Sequence, residues 1–310
     1  MQCCCETTPF VIGFYTKPFG KEFYATMQKI LKWGIILTSA LAAMIYLLLL
    51  AGVWAMQDHL MFGRRTQDIV ETPEARNWPC EEIWLDVDGE RTYGWWLPVS
   101  GARGTVLFSH GSGRNISGYL EDVALFHEAG LSVMLYDYGG YGLSTGAPSE
   151  NRCYADARAV WNYLVQERGI QPDEIVLAGS SMGSGVTCGL AAQVSPAAVI
   201  LESAFISVPD TLWDTYPFFP ANWICHIQFR NIDKVGEFQC PVLIVHSKDD
   251  TVVPFDHGRQ LYQRVTATKT FVEIRGGHYG GKFKSQEVYL QGLKTFLNSC
   301  ILLQDNDNNI

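Results

Sequence analysis

Gly179-Ser180-Ser181-Met182-Gly183 sets a serine between two glycines in the pattern G-x-S-x-G. A serine hydroxyl becomes a useful nucleophile only when a neighbouring base takes its proton. The pattern is short and recurs by chance, so its setting decides its meaning. Residues 174–178 (EIVLA) read as a buried strand, and a helix is expected over 182–193. A strand, a sharp turn and a helix are what lift such a serine above a sheet, and Gly179 and Gly183 are needed because side chains there would strike neighbouring backbone. Ser181 is therefore the candidate nucleophile, and Ser180 and Ser184 read as turn and helix residues. Of the seven histidines, His278 is the candidate base. It lies in Arg275-Gly276-Gly277-His278-Tyr279-Gly280, a glycine-rich loop after the last expected strand, able to reach back over the sheet. His127 and His246 read as structural, and no motif surrounds His59, His226 or His257. A carboxylate must hold the base in one tautomer. The stretch 246–254 (HSKDDTVVP) offers Asp249 and Asp250, and the residues alone leave both open.

These groups need a frame. Residues 82–87 and 92–97 read as a hairpin about Asp88-Gly89. Further strands are expected at 105–109, 131–136, 174–178, 197–201, 241–245 and 270–274, with helical periodicity between them, including one over 150–168. Short apolar runs separated by helices predict an α/β fold, a mostly parallel central sheet with helices on both faces. The segment 205–239 breaks the alternation. It has no tidy helix or strand but many aromatics, among them Phe205, Trp213, Tyr216, Phe218, Phe219, Trp223 and Phe229. It reads as a short cap insertion over the site, with Trp213 and Phe219 expected to shape an acyl pocket; simple peripheral packing is the alternative.

Residues 82–297 resemble the α/β-hydrolase superfamily. More narrowly they look like single-pass, membrane-anchored ABHD-type serine hydrolases and lysophospholipase-like or serine-aminopeptidase-like bacterial relatives. The resemblance is carried by His110-Gly111 after the third strand, Tyr136-Asp137-Tyr138-Gly139-Gly140-Tyr141-Gly142 after the fourth, the Ser181 turn, the Asp250 loop and the His278 loop. It implies a triad in the chain order Ser181, Asp250, His278, with no cofactor. The acid of such relatives stands three residues before the Val253-Pro254 end, which selects Asp250 over Asp249. It also implies an oxyanion hole from the N–H groups of Met182 and Ser112, each worth roughly 3–4 kcal/mol in the transition state. Relatives usually read His-Gly-Asn-Ala-Gly-Asn where this chain has His110-Gly111-Ser112-Gly113-Arg114-Asn115, so the donor is kept while its surroundings differ. A serine nucleophile excludes the branches that use a carboxylate or a thiol there. The implied activity is hydrolysis of esters or thioesters, with lipid-like acyl groups favoured by the aromatic cap. A serine peptidase with the same triad is the rival, for which Asp210 and Asp214 of the cap are the candidate amine holders; a non-catalytic tethered module is the third reading.

The chain has 310 residues, 47% apolar and 18% charged, with a net charge of −9. That balance argues against a nucleic-acid partner, which calls for a basic face. No metal-ligand spacing occurs, neither H-E-x-x-H nor paired C-x₂-C. Residues 34–56 carry no charge and as a helix span roughly 33 Å, enough for a hydrocarbon core. Trp33 and Trp54 stand at its ends, at headgroup level. The expected organisation is an N-terminal stub over 1–32, a transmembrane helix over 33–56, a linker over 57–79, a hydrolase domain over 80–303 and a disordered tail over 304–310. A signal peptide cleaved after Ala55 is the alternative, disfavoured by the long leader and long apolar run. Lys17, Lys21, Lys29 and Lys32 before the run, against Arg64 and Arg65 after it, predict a cytoplasmic N-terminus with the large domain on the opposite side. Cys3, Cys4 and Cys5 offer thiols for acylation on such a stub, an unmodified stub being the alternative, and Cys225 with Cys240 is a candidate disulfide.

Overall fold

The structure is a computed structural model that describes residues 20–63 and 65–307. By internal contacts the chain divides into residues 1–52 and 53–310. Helix α1 (Lys21–Phe62) runs 42 residues, about 63 Å at 1.5 Å each. Among the described residues it is the helix long and apolar enough to cross a membrane. It starts earlier and ends later than the expected 33–56, because no proline interrupts 21–62. It stops at Gly63, where a Cβ would lie 2.1 Å from the His59 carbonyl oxygen. Residues 57–62, expected as linker, are therefore helical. Residues 1–19 of the stub, with Cys3, Cys4, Cys5 and Lys17, lie outside the described residues, as do Arg64 and residues 308–310.

In the second unit one eight-stranded sheet is ordered β1-β2-β4-β3-β5-β6-β7-β8. The strands are β1 (Glu81–Val87), β2 (Glu90–Leu97), β3 (Thr105–Ser109), β4 (Ser132–Tyr136), β5 (Ile175–Ser180), β6 (Ala198–Glu202), β7 (Val242–Ser247) and β8 (Lys269–Ile274). The β1–β2 and β2–β4 pairs are antiparallel and the rest parallel. Asp88 and Gly89 both have positive φ, 52° and 82°, as a two-residue hairpin turn demands.

Alternating strand residues feed two apolar layers. Leu107, Met134, Leu177, Val199 and Ile244 pack toward helices α3 (Glu150–Asn162), α4 (Met182–Ala191) and α8 (Phe255–Arg264). Val106, Phe108, Leu135, Ile200 and Leu243 pack on the other face, toward α2 (Leu120–Glu128) and α10 (Gln286–Asp307). The helix expected over 150–168 ends at Asn162 and widens into a π turn over Tyr163–Glu167. Residues 304–307, expected as disordered, continue α10. The segment 205–239 is more regular than its sequence suggests. It holds α5 (Val208–Thr215), α6 (Ala221–Ile224) and α7 (Asn231–Lys234); Pro217 follows the end of α5 and Pro220 precedes α6, so neither helix can extend into the other. The Ser207 hydroxyl caps α5 by accepting from the Asp210 N–H at 3.1 Å. Cys225 and Cys240 are unbonded, as are Cys80, Cys153, Cys188 and Cys300, so the suggested Cys225–Cys240 pair does not form.

Candidate active site

At the carboxyl ends of parallel strands β3, β5, β7 and β8 lie the loops that hold His110, Ser181, Asp250 and His278, with Glu202 as the last residue of β6, at the edge where open α/β sheets bind ligands. Ser181 has φ 54° and ψ −120°, a backbone state that costs a non-glycine residue of order 1–3 kcal/mol. Close packing enforces it. A Cβ on Gly179 would fall 2.3 Å from the Gly183 oxygen, and one on Gly183 would fall 1.9 Å from the Ser109 oxygen. The Ser181 N–H also donates to the Glu202 carbonyl at 2.9 Å, tying the turn to β6.

His278 Nε2 lies 2.8 Å from Ser181 Oγ, and His278 Nδ1 lies 2.7 Å from Asp250 Oδ2. A carboxylate only accepts, so Nδ1 carries the proton and Nε2 presents its lone pair to the serine hydroxyl. Asp250 Oδ1 accepts from the Val252 and Val253 N–H groups, both at 2.9 Å. Burial by itself would raise the Asp250 carboxyl, but the His278 contact and those two donors bring it below the usual carboxylate value. Asp249 faces elsewhere. It accepts from Arg275 and from the Gly276 N–H, each at 3.0 Å, and so holds the loop that carries His278. His246 donates to the Val253 carbonyl at 3.0 Å, and burial pushes its pKa down.

The loop after β3 is pinned by tyrosines, two of them in the 136–142 motif, whose role there the sequence did not reveal. Tyr138 donates to the His110 carbonyl at 2.7 Å, Tyr141 to that of Ser112 at 3.1 Å, and Tyr119 to that of Gly113 at 2.7 Å. His110 Nδ1 donates to the Gly111 carbonyl at 2.7 Å. Because the peptide is planar and trans, fixing that carbonyl also fixes the Ser112 N–H on the opposite side. Gly111 lies close to the nucleophile, since a Cβ on it would come 3.6 Å from Ser181 Cβ. Ser112, Ser181 and Met182 together line a cavity of about 370 Å³. Its other walls are mostly apolar, including Val208, Leu212, Ile227 and Val253, with Val53 and Leu60 from the end of α1. Trp213 and Phe219 are absent from that wall, contrary to expectation.

A second cavity of about 490 Å³ is lined by His278 and does not include Ser181. At its base the buried Lys282 ammonium pairs with Asp122 and Glu202, and the Tyr289 hydroxyl donates to Glu202 at 2.5 Å. Burial opposes the Lys282 charge, but the two carboxylates outweigh it and keep the ammonium protonated. This cluster joins helix α9 (Gly281–Lys284), next to His278, to the end of β6 that receives the Ser181 N–H. Nothing in the local sequence marks it, because its members are up to 167 positions apart.

The model of the serine aminopeptidase S33 family matches residues 100–227. An uncharacterised protein of Mycobacterium tuberculosis is 30% identical over 254 residues, covering 81% of this chain and 90% of that protein. Alpha/beta hydrolase domain-containing protein 17C of Xenopus tropicalis is 38% identical over 208 residues, and its human counterpart 36% over 207. Each covers 64% of this chain, and the chain spans 63% and 59% of their lengths. Among solved structures, an esterase of Pyrococcus furiosus superposes with a TM-score of 0.66 at 17% identity, over 77% of this chain and 99% of that one. An alpha-beta hydrolase of Vibrio vulnificus gives 0.61 at 20%, over 76% and 92%. At such identities these two likenesses speak for the fold alone.

Proposed function

The chain belongs to the α/β-hydrolase superfamily, as an ABHD-type hydrolase, and from that premise we propose that it is a membrane-tethered serine hydrolase cleaving esters or thioesters of lipid-like acyl groups. The observation that carries the reading is Ser181, hydrogen-bonded to His278 and opening on an apolar cavity. In the proposed reaction Ser181 Oγ attacks the acyl carbonyl carbon while its proton passes to His278 Nε2. The Met182 and Ser112 N–H groups receive the charge that develops on the carbonyl oxygen. The imidazolium then protonates the leaving oxygen or sulfur, and the acyl group stays on Ser181. Water attacks next, giving a proton to His278, which passes it to Ser181 Oγ as the acyl–oxygen bond breaks, releasing the carboxylic acid and free serine. Asp250 remains ionised throughout and holds Nδ1–H.

The matching family description makes a serine peptidase the second reading. A peptidase that reads a free amine needs carboxylates aimed into the cavity. Asp210 is bound to Ser207, and Asp214 to His257 at 2.6 Å, and neither lines the wall beside Ser181. That supports the ester reading. Fluorophosphonate labelling of the wild type and of Ser181→Ala tests it, followed by a panel of p-nitrophenyl esters and aminoacyl amides. The expected result is labelling lost in the variant and esters of longer acids cleaved faster than acetate. Undiminished labelling of the variant removes Ser181 as nucleophile, and faster cleavage of amides moves the peptidase ahead.

A further inference from the structure

Of the cap's large aromatics, Phe205 lines the reaction cavity and Phe229 is buried in the core, whereas Trp213, Tyr216, Phe218 and Trp223 face outward. On α5, positions 208, 211, 212 and 215 share the inner stripe and line the cavity beside Ser181, the spacing one helix face requires. Trp213 falls on the other side and is 51% exposed. Tyr216, just past the helix, is 47% exposed, and Trp223 on α6 is 91% exposed. Phe218 and Phe219 meet the Tyr216 ring at centroid separations of 6.2 and 6.1 Å, extending the same aromatic rim.

One side chain fixes where this rim sits. Gln57 Nε2 donates to the Ile224 carbonyl at 2.7 Å, and Gln57 Oε1 accepts from the His226 N–H at 2.9 Å. Trp54 meets the His226 ring edge-on, with centroids 5.9 Å apart. Gln57 directly follows the uncharged run 34–56. The outer cap is thus fastened one residue beyond the point where a span-length apolar segment ends. Tryptophan and tyrosine, apolar bodies with a polar tip, favour the headgroup layer of a bilayer. Among the described residues, the charged groups beside this rim are Asp58, Asp210 and Asp214, engaged with His226, Ser207 and His257, and Arg230, which is paired with Asp233, an arrangement that offers little attraction to an anionic lipid.

We propose that Trp213, Tyr216 and Trp223, together with Trp54, form a second membrane contact that sits in the headgroup layer of a zwitterionic bilayer. It brings the acyl cavity, whose wall includes Val53 and Leu60, to the lipid surface. The inference rests on the tethered reading above.

Full-length wild type and Trp213→Ser/Trp223→Ser are reconstituted in phosphatidylcholine vesicles. Each is assayed with p-nitrophenyl acetate in water and with a long-chain p-nitrophenyl ester dissolved in the bilayer. Carbonate extraction reports the tether separately. Both proteins are expected to resist carbonate and to cleave acetate within twofold of each other, whereas the variant loses at least tenfold on the bilayer ester. A p-benzoylphenylalanine replacing Trp223 is expected to cross-link to phospholipid. Equal turnover of the bilayer ester by carbonate-resistant proteins overturns the docking face and leaves the tether standing. Release by carbonate overturns the tether itself. If the variant loses acetate turnover as well, the photoprobe decides: capture of a second copy, or of no lipid, overturns the proposal.

Discussion

Two adjacent aspartates of identical chemistry differ in what their backbone lets them reach. Asp250 turns inward, where two N–H groups and His278 surround its carboxylate, while Asp249 stays at the surface on Arg275 and Gly276. In the proposed mechanism Asp250→Asn presents the wrong group to Nδ1, so His278 loses its working tautomer and kcat is expected to fall roughly 10⁴-fold. Asp249→Asn is expected to be mild, and the opposite ranking in steady-state assays would reverse the assignment. Stability gives an independent reading. The folded Asp250 carboxyl lies below its ordinary value, so its contribution is present above about pH 4 and is lost as pH falls through the lower folded value. The Tm difference between wild type and Asp250→Asn should therefore shrink below about pH 4. Local spacing made Ser181, His278 and the aspartate pair legible. The Lys282 cluster was not, and of the tyrosines that hold the 110–113 loop the motif showed Tyr138 and Tyr141 but not what they bond. Buried polar partners joined across long stretches of chain leave no periodic trace.

The strands were the most legible elements, because continuous runs such as 105–109 and 241–245 have one physical use, burial on both faces of a sheet. Helix ends and the cap were harder. Proline-punctuated turns of four to eight residues are too short to show a period, so 205–239 gave its composition but not its direction. Aromatic content suggested that Trp213 and Phe219 shape the pocket, whereas the inner face of α5 offers Val208 and Leu212 instead. Chain-length selectivity should follow that inner face. Burying a methylene contributes about 0.8 kcal/mol, so kcat/KM should climb severalfold for each added pair of carbons until the cavity is filled. Leu212→Trp takes space from the cavity and is expected to shift the optimum to shorter esters by several carbons. Trp213→Ala, on the outer face, is expected to leave the order of soluble esters unchanged. A panel from acetate to palmitate separates the two, and an unmoved optimum in Leu212→Trp would place the acyl chain elsewhere.

At the scale of the whole molecule the acidic charge and the apolar helix divide the chain, in the proposed reading, into parts suited to different solvents. The four Lys and two Glu before residue 56 leave the remainder near −11 from the total of −9, a balance suited to water. Helix α1 has a stretch of mean hydropathy 2.3 with none of that window buried, which in water would expose a large apolar surface. A bilayer removes that cost if the helix stays uncleaved. Lysines before the run, and the sparser arginines after it, favour a cytoplasmic N-terminus. The full-length chain is therefore expected to remain in carbonate-washed membranes. Protease added from the non-cytoplasmic side should digest the hydrolase domain and spare an N-terminal epitope. Recovery of a soluble species starting near Met56 would show instead that the apolar segment is removed. Protection of the hydrolase domain with digestion of the N-terminus would keep the tether and reverse its direction, putting Ser181 on the cytoplasmic face and its acyl substrates in the inner leaflet.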